Sequence, residues 1–216
     1  MTTTETEIPT KATTTSTPCC RGKTVAMWSL VAVVVMAGGA WGWANYLQTY
    51  HLATVQEGVL YRDGNRGIRE FATAVRQSKV KTVISLIDDA ELADAKKPQF
   101  AAEMALCKER GVKVVRVPVK LGGWPTTEDV RTVLNVAADK ANQPVLVHCA
   151  QGVRRTGMMV AAYQESVMGW DNARATMSMM TFGHSGRTVK DVAQFIEVYD
   201  AKERRVTRQL AASSEE

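Results

Sequence analysis

The segment "HCAQGVRRTG" (148–157) sets a cysteine at the end of the apolar run "PVLV", then a glycine, then two adjacent arginines. Those residue types at that spacing can hold an anion. Backbone N–H groups of residues 150–154 can curl around it, with Gly152 permitting the tight turn and Gly157 a close approach. A helix starting near Arg155 adds the positive end of its dipole. The planar fork of Arg155 can grip two oxygens of a tetrahedral dianion. Cys149, at the base of such a cup, would ionise well below the value of about 8.5 for a free thiol. It then becomes a nucleophile with its target held above it. The competing reading is a core cysteine at a strand end, which leaves the arginines and glycines unexplained.

His-Cys, five residues, then Arg-Thr-Gly resembles the signature loop of the cysteine-dependent protein tyrosine and dual-specificity phosphatases. The likeness extends over most of residues 55–202, and "TTEDVRTVLNVAADKANQPVLVHCAQGVRRTG" with the later "FIEVYD" is similar to the atypical, plant-and-fungi type and its bacterial relatives. The resemblance implies that Cys149 is the nucleophile and forms a phosphocysteine. It implies that Arg155 binds the phosphoryl oxygens, His148 tunes the thiolate, and Thr156 donates to the sulfur as it leaves. Ala150, Gln151, Gly152, Val153 and Arg154 would cradle the substrate, with Arg154 positioned for a second phosphate. No metal or organic cofactor is implied.

The general acid is the weak point of the pattern. The family carries an Asp some thirty residues before the cysteine, and here that region reads "VPVKLGGWPTTEDV". Thr126 occupies the place that an Asp takes in a Trp-Pro-Asp loop. Asp129 is the first candidate and Glu128 the second, although "TTED" also reads as a helix cap with acids in the first turn. The displaced acid keeps a phosphate-reading pseudophosphatase open. A rhodanese-like sulfurtransferase, which also cradles anions around a cysteine, is a more distant alternative.

Short apolar runs alternate with helical patterns along the chain. Strands are expected at 58–62, 81–87, 112–119 and 144–148, and helices at 67–79, 97–111, 126–141, 155–168, 171–181 and 188–202. Such alternation implies crossover units and an α/β fold, a mostly parallel sheet covered by helices. In these sheets ligands bind where strand C-termini meet helix N-termini, and His148-Cys149 falls at such a junction. The resemblance implies the tyrosine-phosphatase-like version of this architecture.

Upstream, residues 1–23 read as a Thr-rich tail, and the 21 residues from Thr24 to Ala44 carry no charge. That run is long enough to span a bilayer as a helix. Lys11, Arg21 and Lys23 precede it, and no Lys or Arg follows until Arg62. An uncleaved anchor with a cytoplasmic N-terminus is therefore expected, with the rest extracytoplasmic and periplasmic in a bacterium. Cleavage after Ala40 is the alternative. Residues 45–57 read as a linker, 58–204 as the catalytic domain and 205–216 as a C-terminal tail. The net charge of +5 is not gathered into a basic stripe interleaved with aromatics, so nucleic acid is not the expected partner. A phosphorylated protein, or a phosphoinositide or inositol phosphate, is. The four cysteines form no disulfide framework.

Overall fold

The computed structural model describes residues 21–49, 51–179, 182, 186–202 and 205–206. The two tails expected at the termini lie almost wholly outside these residues. The chain divides into two units, Met1–Asn45 and Tyr46–Glu216.

Helix α1 (Arg21–Thr49) contains the apolar stretch Val25–Trp43, whose mean hydropathy is 1.8 and none of which is buried. An apolar helix of this length is fit to span a membrane or to act as a signal sequence. It runs further than the expected span, into what was read as linker.

The second unit begins earlier than the pattern predicts. Ala53–Gln56 is strand β1, antiparallel to β2 (Leu60–Gly64), and both halves of this hairpin belong to the domain. The alternation then follows in order: α2 (Ile68–Gln77), β3 (Thr82–Ser85), α3 (Asp89–Leu92), α4 (Pro98–Glu109), β4 (Lys113–Arg116), α5 (Thr127–Ala138), β5 (Val145–Cys149) and α6 (Arg154–Ser166). The chain closes with α7 (Asn172–Met179), α8 (Gly186–Val198) and the small pair β6 (Tyr199–Asp200) and β7 (Arg205–Val206). The sheet order is β1-β2-β5-β3-β4, with every pair after the first parallel. This is the expected α/β class.

Strand β5 is central, and its alternation sorts the core into two layers. Val145, Val147 and Cys149 face the layer that includes Val130, Val133, Leu134, Met158 and Phe195. Leu146 faces the other, with Phe71, Ala74, Val75 and Cys107. Cys107 and Cys149 therefore lie on opposite sides of the sheet, and both are free. Helix α6 is buried along almost its whole length, from Arg155 to Glu165. It fixes the segment that leaves β5.

Candidate active site

The loop 149–154 connects the central strand to the buried helix, so both its ends are held. Two glycines let the end of β2 press against it. A Cβ on Gly64 would lie 2.5 Å from the carbonyl carbon of Gln151, and one on Gly152 2.5 Å from that of Asp63. Gly152 also has φ +69°, which an L side chain rarely adopts. The Asn65 N–H donates to Cys149 O at 2.9 Å, which fastens the two segments together. No side chain caps α6 at Val153, so the helix's first N–H groups stay available to an anion.

Cys149, Ala150, Gln151, Val153, Arg154 and Arg155 line one cavity of about 490 Å³. Arg66, Lys97, Phe100 and Leu121 stand around them. Burial by itself would raise the Cys149 thiol. The Arg155 charge, the Thr156 hydroxyl and the backbone N–H groups of Thr156 and Gln151 outweigh it and hold the thiol below its ordinary value. Thr156 Oγ1 is buried and has no other partner.

Arg155 is aimed by a residue that the sequence did not single out. Its Nη1 donates to Glu91 Oε2 at 2.5 Å and its Nη2 to Glu91 Oε1 at 3.1 Å, a bidentate pair. Nη1 also reaches the carbonyls of Leu86 and Val119, each at 3.0 Å. Glu91 rides on the short α3, which starts with a capping box: Asp88 Oδ1 accepts from Glu91 N at 2.7 Å, and Glu91 Oε2 faces Asp88 N. The Asp-x-x-Glu spacing of "DDAE" is the signal that could have marked this turn.

His148 points away from the thiol face. Its Nε2 lies 2.8 Å from Glu103 Oε1, both side chains being fully buried, and Glu103 Oε2 accepts from Asn65 Nδ2 at 2.7 Å. Burial would lower the imidazole, but the Glu103 charge and hydrogen bond raise it above its ordinary value. Burial would likewise raise Glu103, and His148 and Asn65 hold it below the usual carboxylate range. Nδ1 is 3.3 Å from Cys149 O, so His148 steadies the backbone at the start of the loop.

The structure does not bring Asp129 to this cavity. Asp129 completes a capping box on α5: its Oδ2 accepts from Thr126 N at 2.7 Å, and its N–H donates to Thr126 Oγ1 at 3.2 Å. Glu128 pairs with Arg131 on the same turn. The capping reading of "TTED" accounts for the contacts both acids make. Arg154 lines the cavity with its side chain already engaged. Its guanidinium donates to Gly123 O at 2.6 Å, to Gly122 O at 2.9 Å and to Asp191. Asp191 in turn accepts from Trp124 Nε1 at 2.9 Å. These contacts tie the 120–124 segment to the loop.

A family model described as "DSP-PTPase phosphatase fused to NAD+ Kinase" matches residues 54–198. The chain belongs to the DSP-PTPase phosphatase family. Among curated proteins it is 27% identical over 142 residues to the dual specificity protein phosphatase TpbA of Pseudomonas aeruginosa, covering 65% of this chain. It spans 59% of the length of that relative. The crystal structure of P. aeruginosa TpbA matches with a TM-score of 0.56 at 25% identity, covering 72% of this chain and 88% of that one. Another TpbA structure, in complex with pTyr, has a TM-score of 0.58 at 25% identity, covering 73% and 90%. The core catalytic domain of the PP-IP phosphatase SIW14 of S. cerevisiae shares the fold, with a TM-score of 0.58 at 21% identity and coverage of 76% and 93%.

Proposed function

We propose that this chain hydrolyses phosphomonoesters through a covalent phosphocysteine on Cys149. The observation that carries the reading is a buried thiol, held below its ordinary pKa, in one cavity with Arg155. The Cys149 sulfur attacks phosphorus and the P–O bond to the leaving group breaks, its electron pair going to the departing oxygen. Arg155 and the loop N–H groups hold the three remaining oxygens as charge shifts among them. Water then attacks the phosphocysteine: a P–O bond forms, the S–P bond breaks with its electron pair going to sulfur, and the water's proton passes to solvent as inorganic phosphate is released. The sulfur leaves as thiolate, with the Thr156 hydroxyl turned to it.

The leaving-group side of the cleft favours esters that need little protonation. Among the described residues, each carboxylate near it is committed: Glu91 to Arg155, Asp88 to the N–H groups of Glu91 and Leu121, and Asp191 to Arg154 and Trp124. An aryl phosphate such as phosphotyrosine departs as a stabilised phenolate, so it suits this side better than an alkyl phosphate. Exposed Leu121 supplies apolar surface beside the cavity, and Arg66 supplies charge. The apolar α1 anchors the chain in a membrane, and the basic residues before it place the N-terminus in the cytoplasm and the phosphatase outside.

The test is turnover of a phosphate panel by the full-length chain in detergent. Cys149→Ser and Arg155→Lys should each cut turnover by about 10³-fold or more, and aryl esters should outpace alkyl esters. A Cys149→Ser chain that keeps more than a few per cent of activity would rule out the covalent route.

A further inference from the structure

Arg62, on β2, has no part in the chemistry above, yet its side chain is wholly buried. Its Nη2 donates to Gly152 O at 2.8 Å, and its guanidinium carbon lies 3.9 Å from the centroid of the Phe182 ring. Its Nε and Nη1 have no hydrogen-bond partner. Among the described residues no carboxylate pairs with it. Burial lowers Arg62 to about 10, against the pull of Cys149, so it is still a cation at neutral pH.

The sheet register shows what faces this charge. Arg62 is opposite Val147, and Gly64 opposite Cys149, so Arg62 lies on the thiol's face of the sheet. Asp63 is opposite His148 and lies on the other face, where burial raises its carboxyl to about 7. The ionisable groups around Cys149 and Arg62 can be taken in turn. From α6 comes Arg155, clasped by Glu91 of α3. From α4 comes Glu103, committed to His148 and Asn65. Ahead of β1 stands His51, which burial, Arg66 and Arg62 all push down and a hydrogen bond to the backbone carbonyl of Gln151 pushes up. Among the described residues, every nearby carboxylate is either taken or on the far face. The anion left for Arg62 is the Cys149 thiolate, or the phosphoryl group that replaces it.

We propose that Arg62 is a second cation of the site, a positioning residue that fixes the phosphate loop through Gly152 O and helps keep Cys149 ionised from within the sheet. A trans peptide points its N–H away from its C=O. Holding Gly152 O on Arg62 therefore turns the Val153 N–H away from the sheet, on the side where Val153 lines the cavity. The proposal rests on the phosphocysteine reading, and its test does not use turnover.

In the full-length chain, the rate of iodoacetamide alkylation is followed against pH, with the Cys149 peptide resolved by mass spectrometry from the other cysteines. Arg62→Gln and the apolar Arg62→Met are made together, so that loss of fold in one leaves the other to be read. Both should raise the alkylation midpoint by about one pH unit or more. Arg62→Lys, which keeps a cation, should bring it back towards the native value. An unchanged midpoint in a folded neutral variant overturns the proposal and makes Arg62 a prop for Gly152, with the phosphocysteine reading intact. A lysine variant no lower than the neutral ones overturns it too, since the effect would then belong to loop shape. Turnover by Cys149→Ser would instead sink the phosphocysteine reading.

Discussion

Two segments meet over the cavity, and they are built in different ways. In 149–155 the proposed nucleophile Cys149, the loop backbone and the proposed catalytic Arg155 are contiguous, and both ends are locked into the core. In 120–124 the residues are Lys120, Leu121, Gly122, Gly123 and Trp124, which include no acid, and the segment is held from outside by Arg154, Asp191 and the Asp88 carboxylate. Attack on phosphorus needs groups fixed to a fraction of an ångström, which one strand–loop–helix unit supplies. Proton donation to a leaving group needs only one carboxyl at the right place, and any element facing the cavity could bring it. The first kind of site must leave a continuous trace in the sequence; the second need not.

The largest effect expected from breaking the thiol side away from its own loop is Glu91→Gln. It keeps the size of the side chain but removes the charge that aims Arg155. Turnover should fall by about 10²-fold, mostly in kcat, while Cys149 alkylation persists. Steady-state kinetics on an aryl phosphate would show it. A variant with native kcat would mean that Leu86 O and Val119 O suffice to orient the guanidinium.

Glu103→Gln sharpens the comparison through stability. Removing one partner of a buried ion pair costs about 3–5 kcal/mol. The His148 contribution is complete below its unfolded value of about 6.5 and is lost as pH rises through its raised folded value. The Glu103 contribution is complete above its unfolded value of about 4.3 and is lost as pH falls through its lowered folded value. Denaturant melts should therefore show the largest gap between native and variant between those limits, narrowing in more alkaline and in strongly acid solution. A gap independent of pH would remove the ion pair from the account.

How much of this was legible follows the same division. Cys149, Arg155, Thr156, the parallel sheet and most helices could be read, because contiguous motif and hydrophobic period carry them. Glu91 could not: it sits on a helix of one turn within "DDAELADAKK", and its partner is far along the chain. Arg62 ends the run "VLYR", where an arginine reads as solvent-facing; only the pairing with β5 buries it. Strand β1 was taken for linker because "ATVQ" is short and lies at a sheet edge, where one face is not fully covered. The expected strand 112–119 is regular only to Arg116. Beyond it Pro118 has no N–H to give, although Val117 N still reaches Ser85 O at 3.0 Å.

On the leaving-group side, Arg154→Ala and Asp191→Asn should each lower turnover by about 10-fold. Both loosen one tie, so their effects should not multiply in the double variant. A multiplicative loss would show that the two residues act separately, and would return Arg154 to direct contact with substrate, where a polyphosphorylated ligand should feel its loss more than a monoester.

The smallest effect is expected at Asp129, and it tests whether that residue belongs to the cleft at all. As the third residue of α5, Asp129 stabilises the start of the helix by accepting from Thr126 N. Thr126→Ala removes the reciprocal half of the same box without touching any carboxylate. Each change should therefore lower stability by about 1 kcal/mol, and each should leave turnover of aryl and alkyl phosphates within about 2-fold of native, well inside the loss expected from removing a general acid. The paired measurement matters more than either alone, because a cap that shifted α5 would alter both variants alike. Asp129→Asn slowing alkyl esters by about 10²-fold, with Thr126→Ala silent, would mean that the carboxyl swings from its helix into the cleft during turnover. That result would restore to the leaving-group side the acid that its resting geometry withholds.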